Sequence, residues 1–227
     1  KYAELLMEKQ RLKKKDIHRI LAQVDPSEAE TFNEEYIDKL YMDYMNCDYA
    51  DQKDIEAIKD TISKYSNVLI LAPGSSLKTH SVIVAGSIKA DTCVISVNFN
   101  PEIDGLEPHF VFLTNMKRYD AIKNREEKIK LIITSNLLRD VADYDYSIAY
   151  NELVYFNDEY CDDSTLMLLN LLNKLGVKNV SFAGFDGRTN GKLNFIDNSF
   201  DRNIKNSTGT KVKRILNTAF TEISKTF

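Results

Sequence analysis

Val68-Leu69-Ile70-Leu71-Ala72-Pro73-Gly74-Ser75-Ser76-Leu77 decides the fold. An unbroken apolar run too short for a helix reads as a strand buried on both faces of a parallel sheet. Pro73 and Gly74 then break it, and the apolar spacing resumes at Leu77 with a helical period. Similar short apolar runs recur at 93–97, 110–113, 131–133 and 180–183, and the stretches 77–90, 118–128 and 164–175 have helical length and spacing. Five strands alternating with helices, with no proline inside a strand, predict an α/β fold with a Rossmann-like doubly wound, mostly parallel sheet. Gly176 is placed to end the preceding helix as its C′ residue. Residues 147–155 fit either a strand or an extended loop, and 210–227 reads as a final helix closing the sheet. The polar, Asn- and Gly-bearing stretch 186–209 has the length of a lid or binding loop.

Upstream of the first strand the grammar is helical. Ile17, Ile20, Leu21 and Val24 share one helical face after a candidate N-cap at Asp16, and Asp25-Pro26 closes that segment. Tyr36, Ile37, Leu40, Tyr41 and Tyr44 repeat the pattern, and Ile55, Ile58 and Ile62 mark a third helix. Two units are expected: a helical segment, 1–66, and the α/β domain, 67–227. Each short helix has one apolar face, which must cover the α/β domain, another domain, or a second copy of the chain. Homo-oligomerisation through 1–66 is therefore one expectation. The chain opens inside an apparent helix with no Met, which suggests a piece of a longer protein.

Composition narrows the function classes. With 43% hydrophobic and 28% charged residues the chain is neither disordered nor fibrous, and no apolar run approaches a membrane span. Residues 1–66 carry 11 Lys/Arg against 15 Asp/Glu, whereas 67–227 carry 19 of each. A nucleic-acid-binding domain would show a basic surplus, so neither nucleic acid nor membrane is expected as a partner. Cys47, Cys93 and Cys161 are isolated, without CxxC spacing, which argues against a disulfide framework or zinc site and for a cytoplasmic setting. His18, His80 and His109 form no constellation. No metal site or cofactor is expected within the chain, and no catalytic residue can be assigned.

Two groups of residues could bind a ligand. Pro73, Gly74, Ser75 and Ser76 lie where a strand meets a helix, where amides and the helix dipole can meet a phosphate. The plainer reading is a tight turn with a serine cap. There is neither a GxGxxG fingerprint nor a P-loop. Asn98, Asn115, Asn136 (with Ser135) and Asp186 each follow a buried strand, and Gly184 follows the last of them. That carboxyl edge is where open α/β sheets bind ligands, although Asn is also a common turn residue. The expected ligand is a nucleotide, a nucleotide sugar or another small phosphorylated metabolite.

The order Leu71-Ala72-Pro73-Gly74-Ser75-Ser76-Leu77, Ser96-Val97-Asn98, Thr134-Ser135-Asn136 and then 175–186 resembles the nucleotide-binding half of bacterial CMP-sialic-acid-dependent sialyltransferases. It also resembles the related pterin-diphosphokinase-like, Rossmann-type domains. Those families open on Gly-x-Gly-Pro-Ser-Leu, where this chain has Ala72-Pro73-Gly74-Ser75-Ser76. The sialyltransferase pattern places a catalytic His after the last motif, and residues 186–227 contain none. The alternative of a glycosyltransferase-like enzyme would have to rely on Asp186 or His80 as base. The whole chain is also similar to the C-terminal region of aldolase-like proteins of the 4-hydroxy-2-oxovalerate aldolase and HMG-CoA lyase superfamily, found with bacterial surface-polysaccharide synthesis. That resemblance implies an N-terminal aldolase-like barrel outside this sequence as partner domain, with any divalent metal held there. The remaining alternative is a non-catalytic oligomerisation module.

Overall fold

The computed structural model describes residues 52–138, 140–153, 164–184 and 222–225. The first two predicted helices, the loop 186–209, Cys47 and Cys161 lie outside the described residues. Helix α1 (Gln52–Ile62) leads into strand β1 (Asn67–Leu71). Two short helices, α2 (Ser75–Thr79) and α3 (Ser81–Ser87), precede β2 (Thr92–Val97). Then come β3 (Phe110–Leu113), a 3-10 turn (Met116–Ala121), β4 (Lys130–Thr134) and β5 (Tyr146–Ile148). Helices α4 (Tyr150–Leu153) and α5 (Ser164–Lys174) lead to β6 (Asn179–Ala183), and β7 (Glu222–Lys225) is the last strand.

The sheet order is β5-β4-β3-β2-β1-β6-β7, and every neighbouring pair is parallel. The predicted α/β class with a parallel, doubly wound sheet is what the chain forms. Two strands extend the five expected. The ambiguous stretch 147–155 divides into β5 and α4. Residues 222–225, expected inside a final helix, instead pair in parallel with β6, so that expectation is corrected. Glu222-Ile223-Ser224-Lys225 has a single apolar residue, and pairing along the edge of β6 outweighs its weak local pattern.

Alternation along the strands sorts the core into layers. Val68 and Ile70 join Cys93, Ile95, Phe110 and Phe112 on one face, beneath Ile58 and Ile62 of α1 and the leucines of α5. Leu69 and Leu71 face the other way, against Leu77 and Val84 of the α2–α3 pair. Farther along that second face, Val111, Leu113, Leu131 and Ile133 pack with Ile122 and Leu137. The third helix of the helical segment therefore covers the α/β domain. Its Asp54 carboxylate reinforces this, accepting the Ser147 N–H at 2.8 Å and the Ser147 hydroxyl at 3.2 Å. Helix α5 ends as expected at Gly176, whose φ is +82°. The Gly176 and Val177 N–H groups donate back to the Asn173 and Leu172 carbonyls in a Schellman closure.

The predicted single helix over 77–90 is split at His80, whose backbone leaves the helical region. Its Nδ1 lies 3.1 Å from the Ser76 carbonyl oxygen, next to a C-terminal carbonyl of the first short helix. Burial pushes the Cys93 thiol up to about 12, so it is an inert core residue. No helix among the described residues is long and apolar enough to cross a membrane.

At the amino edge of the sheet, His109 Nδ1 accepts the Val94 N–H at 3.0 Å, and Tyr65 packs edge-on against the ring with centroids 4.9 Å apart. Burial holds the His109 pKa below its ordinary 6.5. The stability that this neutral ring contributes is complete above pH 6.5 and is lost as pH falls through the lower folded value. An NMR titration of the ring is expected to give a midpoint below 6.5; a midpoint at or above that value would contradict the buried, accepting geometry.

Candidate functional site

The strand order places a topological switch at the centre of the sheet. From β1 the chain winds outward through β2, β3, β4 and β5, then returns to place β6 on the other side of β1. Open parallel sheets bind ligands at the carboxyl edge beside such a reversal. Here the gap between β1 and β6 is closed by backbone. The Ala72 N–H donates to the Ala183 carbonyl at 2.9 Å, and the Gly74 N–H donates to the Gly184 carbonyl at 2.8 Å. Gly184 has φ +71°, and a Cβ added there would run into the Ala72 carbonyl oxygen. The Gly74 amide is thus committed to the protein, and the Leu77 N–H donates to the Gly74 carbonyl at 3.2 Å.

Open space lies one strand over. A cleft of about 350 Å³ separates the turn after β1, with Pro73, Gly74 and Lys78 on its wall, from the loop 99–103 after β2. Phe99 and Ile103 also pack against the apolar cluster beneath α2 and α3, so this wall is anchored in the core. Asn100 Oδ1 lines the cleft, is buried, and has no hydrogen-bond partner. Lys78 and Glu102 supply one charge of each sign, and neither forms an ion pair with a described residue. A second hollow of about 270 Å³ lies at the amino edge between Lys59, Tyr65 and Lys178. Among the described residues, no orphaned buried polar atom belongs to it.

The remaining residues singled out from sequence divide by what their side chains bond. Asn98 takes the left-handed conformation, φ 59°, which asparagine tolerates better than most residues. Its Oδ1 accepts the Thr114 N–H at 3.0 Å and its Nδ2 donates to Ser164 Oγ at 2.7 Å. Thr114 Oγ1 is 2.6 Å from the same serine oxygen, so Asn98 ties β2 and β3 to the start of α5. Asn115 Oδ1 accepts the Lys117 N–H at 3.0 Å and caps the 3-10 turn. Ser135 Oγ accepts the Tyr150 N–H at 3.0 Å. Asn136 Nδ2 donates to the Thr114 carbonyl at 3.3 Å, while its buried Oδ1 has no partner. Thus Asn98 and Asn136, with Thr114 and Ser164, form one internal polar network at the carboxyl edge. Pro73 and Gly74 line the cleft, Ser76 belongs to α2, and Gly184 packs behind the turn. The Ser75 side chain and Asp186 lie outside the described residues.

No protein-family model, curated protein or solved structure matches the chain. Its chemistry must therefore be read from the cleft itself. The residues that sequence reasoning missed are Lys78, Asn100 and Glu102. The available signal was Asn98-Phe99-Asn100-Pro101, in which the second asparagine follows the strand end by three residues. The cleft can hold a molecule by shape, one cation, one carboxylate and one unsatisfied acceptor. Among its described lining residues there is no His or Cys to act as base or nucleophile. Among all described residues, no group of three His, Cys, Asp or Glu side chains converges to hold a metal ion.

Proposed function

We propose that this chain binds a small phosphorylated metabolite, with nucleotides and nucleotide sugars the leading class, in the cleft between the β1 turn and the β2 loop. The observation that carries the reading is a core-anchored cleft at the carboxyl edge of a parallel sheet, holding Lys78 on one wall and an unsatisfied Asn100 acceptor on the other. A cleft of this size suits a mononucleotide-sized guest. Lys78 supplies the counter-charge for a phosphate, and Phe99 and Ile103 supply apolar surface. The wider setting, a C-terminal domain of an aldolase-type enzyme of surface-polysaccharide synthesis, is proposed on the motif order 71–77, 96–98, 134–136 and 175–186. An in-frame barrel encoded upstream supports that setting, and an unrelated upstream sequence removes it.

The test is a thermal-shift and calorimetric screen of the 227-residue chain against nucleoside phosphates, nucleotide sugars and sugar phosphates. A ligand at a hundredfold its Kd adds about 2.7 kcal/mol to stability, and so raises Tm by several degrees. Lys78→Glu, on an exposed side chain, is expected to fold normally and to lose most of the shift. A screen with no stabilising compound, or the same shift in the variant, overturns the proposal.

A further inference from the structure

We infer that Asn100 is the specificity-determining residue of this cleft, and that it selects a ligand presenting an uncharged N–H or O–H donor. The inference rests on the binding reading above and names the chemistry of the group bound. Asn100 Oδ1 is fully withdrawn from solvent and meets no donor in the protein, yet it belongs to the cleft lining. Leaving a buried carbonyl oxygen unpaired is costly, and folded proteins retain few such atoms. The other carboxyl-edge asparagines show the ordinary outcome. Asn98 and Asn115 each satisfy their Oδ1 with a backbone N–H of the following loop.

The position explains why Asn100 differs. Asn98 turns the chain through its left-handed conformation immediately after β2, and its own N–H donates to the Phe112 carbonyl at 2.9 Å, holding it in the ladder. Phe99 then packs into the cluster under α2 and α3, and Pro101 beyond Asn100 is buried. With both neighbours anchored, Asn100 is held at the cleft, where only a guest can complete its hydrogen bonding. A carbonyl oxygen accepts and cannot donate, so it discriminates against a guest that offers another acceptor. In a nucleotide the matching groups are the exocyclic amine of adenine or cytosine and the ribose hydroxyls.

The experiment compares wild type with Asn100→Leu, which keeps the volume and removes the acceptor. Without ligand, Asn100→Leu is expected to melt at or above the wild-type temperature, because the removed oxygen had no partner. A clearly lower melting temperature would assign Asn100 a structural role and overturn the inference. Calorimetry then uses ATP and CTP as amine-bearing probes, ITP and UTP as their carbonyl counterparts, and the 2′-deoxy forms. Affinity is expected to fall about tenfold or more in Asn100→Leu. A matching loss in wild type on changing amine to carbonyl identifies the base as donor; a loss confined to the deoxy forms identifies the ribose. If wild type binds these probes and Asn100→Leu binds them equally, the inference fails and the cleft reading stands. If wild type binds none of them, nor any compound of the wider screen, the cleft reading fails and the inference goes with it.

Discussion

Gly184→Ala is expected to lower the unfolding free energy by about 3 kcal/mol, with the loss coming from backbone rather than from any lost side chain. Two costs combine. At φ +71° the alanine sits in the left-handed region, costing about 1 kcal/mol or more. The new Cβ would also run into the Ala72 carbonyl oxygen and approach Leu77 Cβ to 2.9 Å. Neither neighbour is the free end of a flexible chain. Ala72 is hydrogen-bonded to Ala183, and Leu77 is buried beneath the sheet's second face. The strain must therefore move the β1 turn, and with it the Gly74–Gly184 hydrogen bond that sets one wall of the cleft. Urea denaturation should show a lower midpoint with an unchanged slope. Gly86→Ala is the matched control: nothing lies within 4 Å of its added Cβ, and the glycine is exposed within α3. Its expected effect is a gain of roughly 0.5 kcal/mol from helix propensity. Equal effects at the two glycines would mean that the close approach at Gly184 does not hold.

That contrast also shows where sequence reading reaches and where it stops. The central strands were legible because each is buried on both faces, so Val68–Leu71 and its counterparts leave no polar position to blur the signal. Gly176 was legible because a helix end needs only local chemistry. The break at His80 was not, since the apolar spacing continues through it and the split depends on how two short helices pack. Strand β7 was hidden because edge pairing with β6 asks little of its side chains. At the site, the turn 73–76 stood out by composition, but the filling of the β1–β6 gap depends on a contact between residues 112 positions apart, Ala72 and Gly184. Asn100 and Asn98 are the same residue type two positions apart. Only the fold reveals that one has its hydrogen bonds completed by the protein and that the other retains an open acceptor.

Asp145→Ala is expected to cost about 3 kcal/mol, the second large effect, at the opposite edge of the sheet. The Asp145 carboxylate accepts the Leu131 N–H at 2.7 Å, while its own N–H donates to the Leu131 carbonyl at 3.0 Å, locking the approach to β5 against β4. Arg125, with a side chain only 7% exposed, reaches Asp145 at 3.3 Å and the well-exposed Asp143 at 3.1 Å. Lys130 adds a third cation at 3.1 Å. Burial alone would raise the Asp145 pKa, but the Leu131 N–H and the two cations outweigh it and hold the carboxyl below its ordinary 3.8. Its stabilisation is therefore complete above pH 3.8 and is lost as pH falls through the lower folded value. Truncation to alanine strands a buried guanidinium beside its weaker, solvent-screened partner and leaves a strand-edge N–H unpaired. Asp145→Asn, which keeps an acceptor for Leu131 and drops the charge, should cost about half as much and flatten the acid limb of the stability profile. Replacing both partners, Arg125→Met with Asp145→Leu, should cost less than Asp145→Ala alone, because the penalty comes mainly from an uncompensated buried charge rather than from the loss of attraction. Chemical denaturation of the four proteins at neutral pH decides it. Strictly additive losses would mean that Arg125 and Asp145 act independently, and that the sheet edge is held by the Leu131 hydrogen bonds alone.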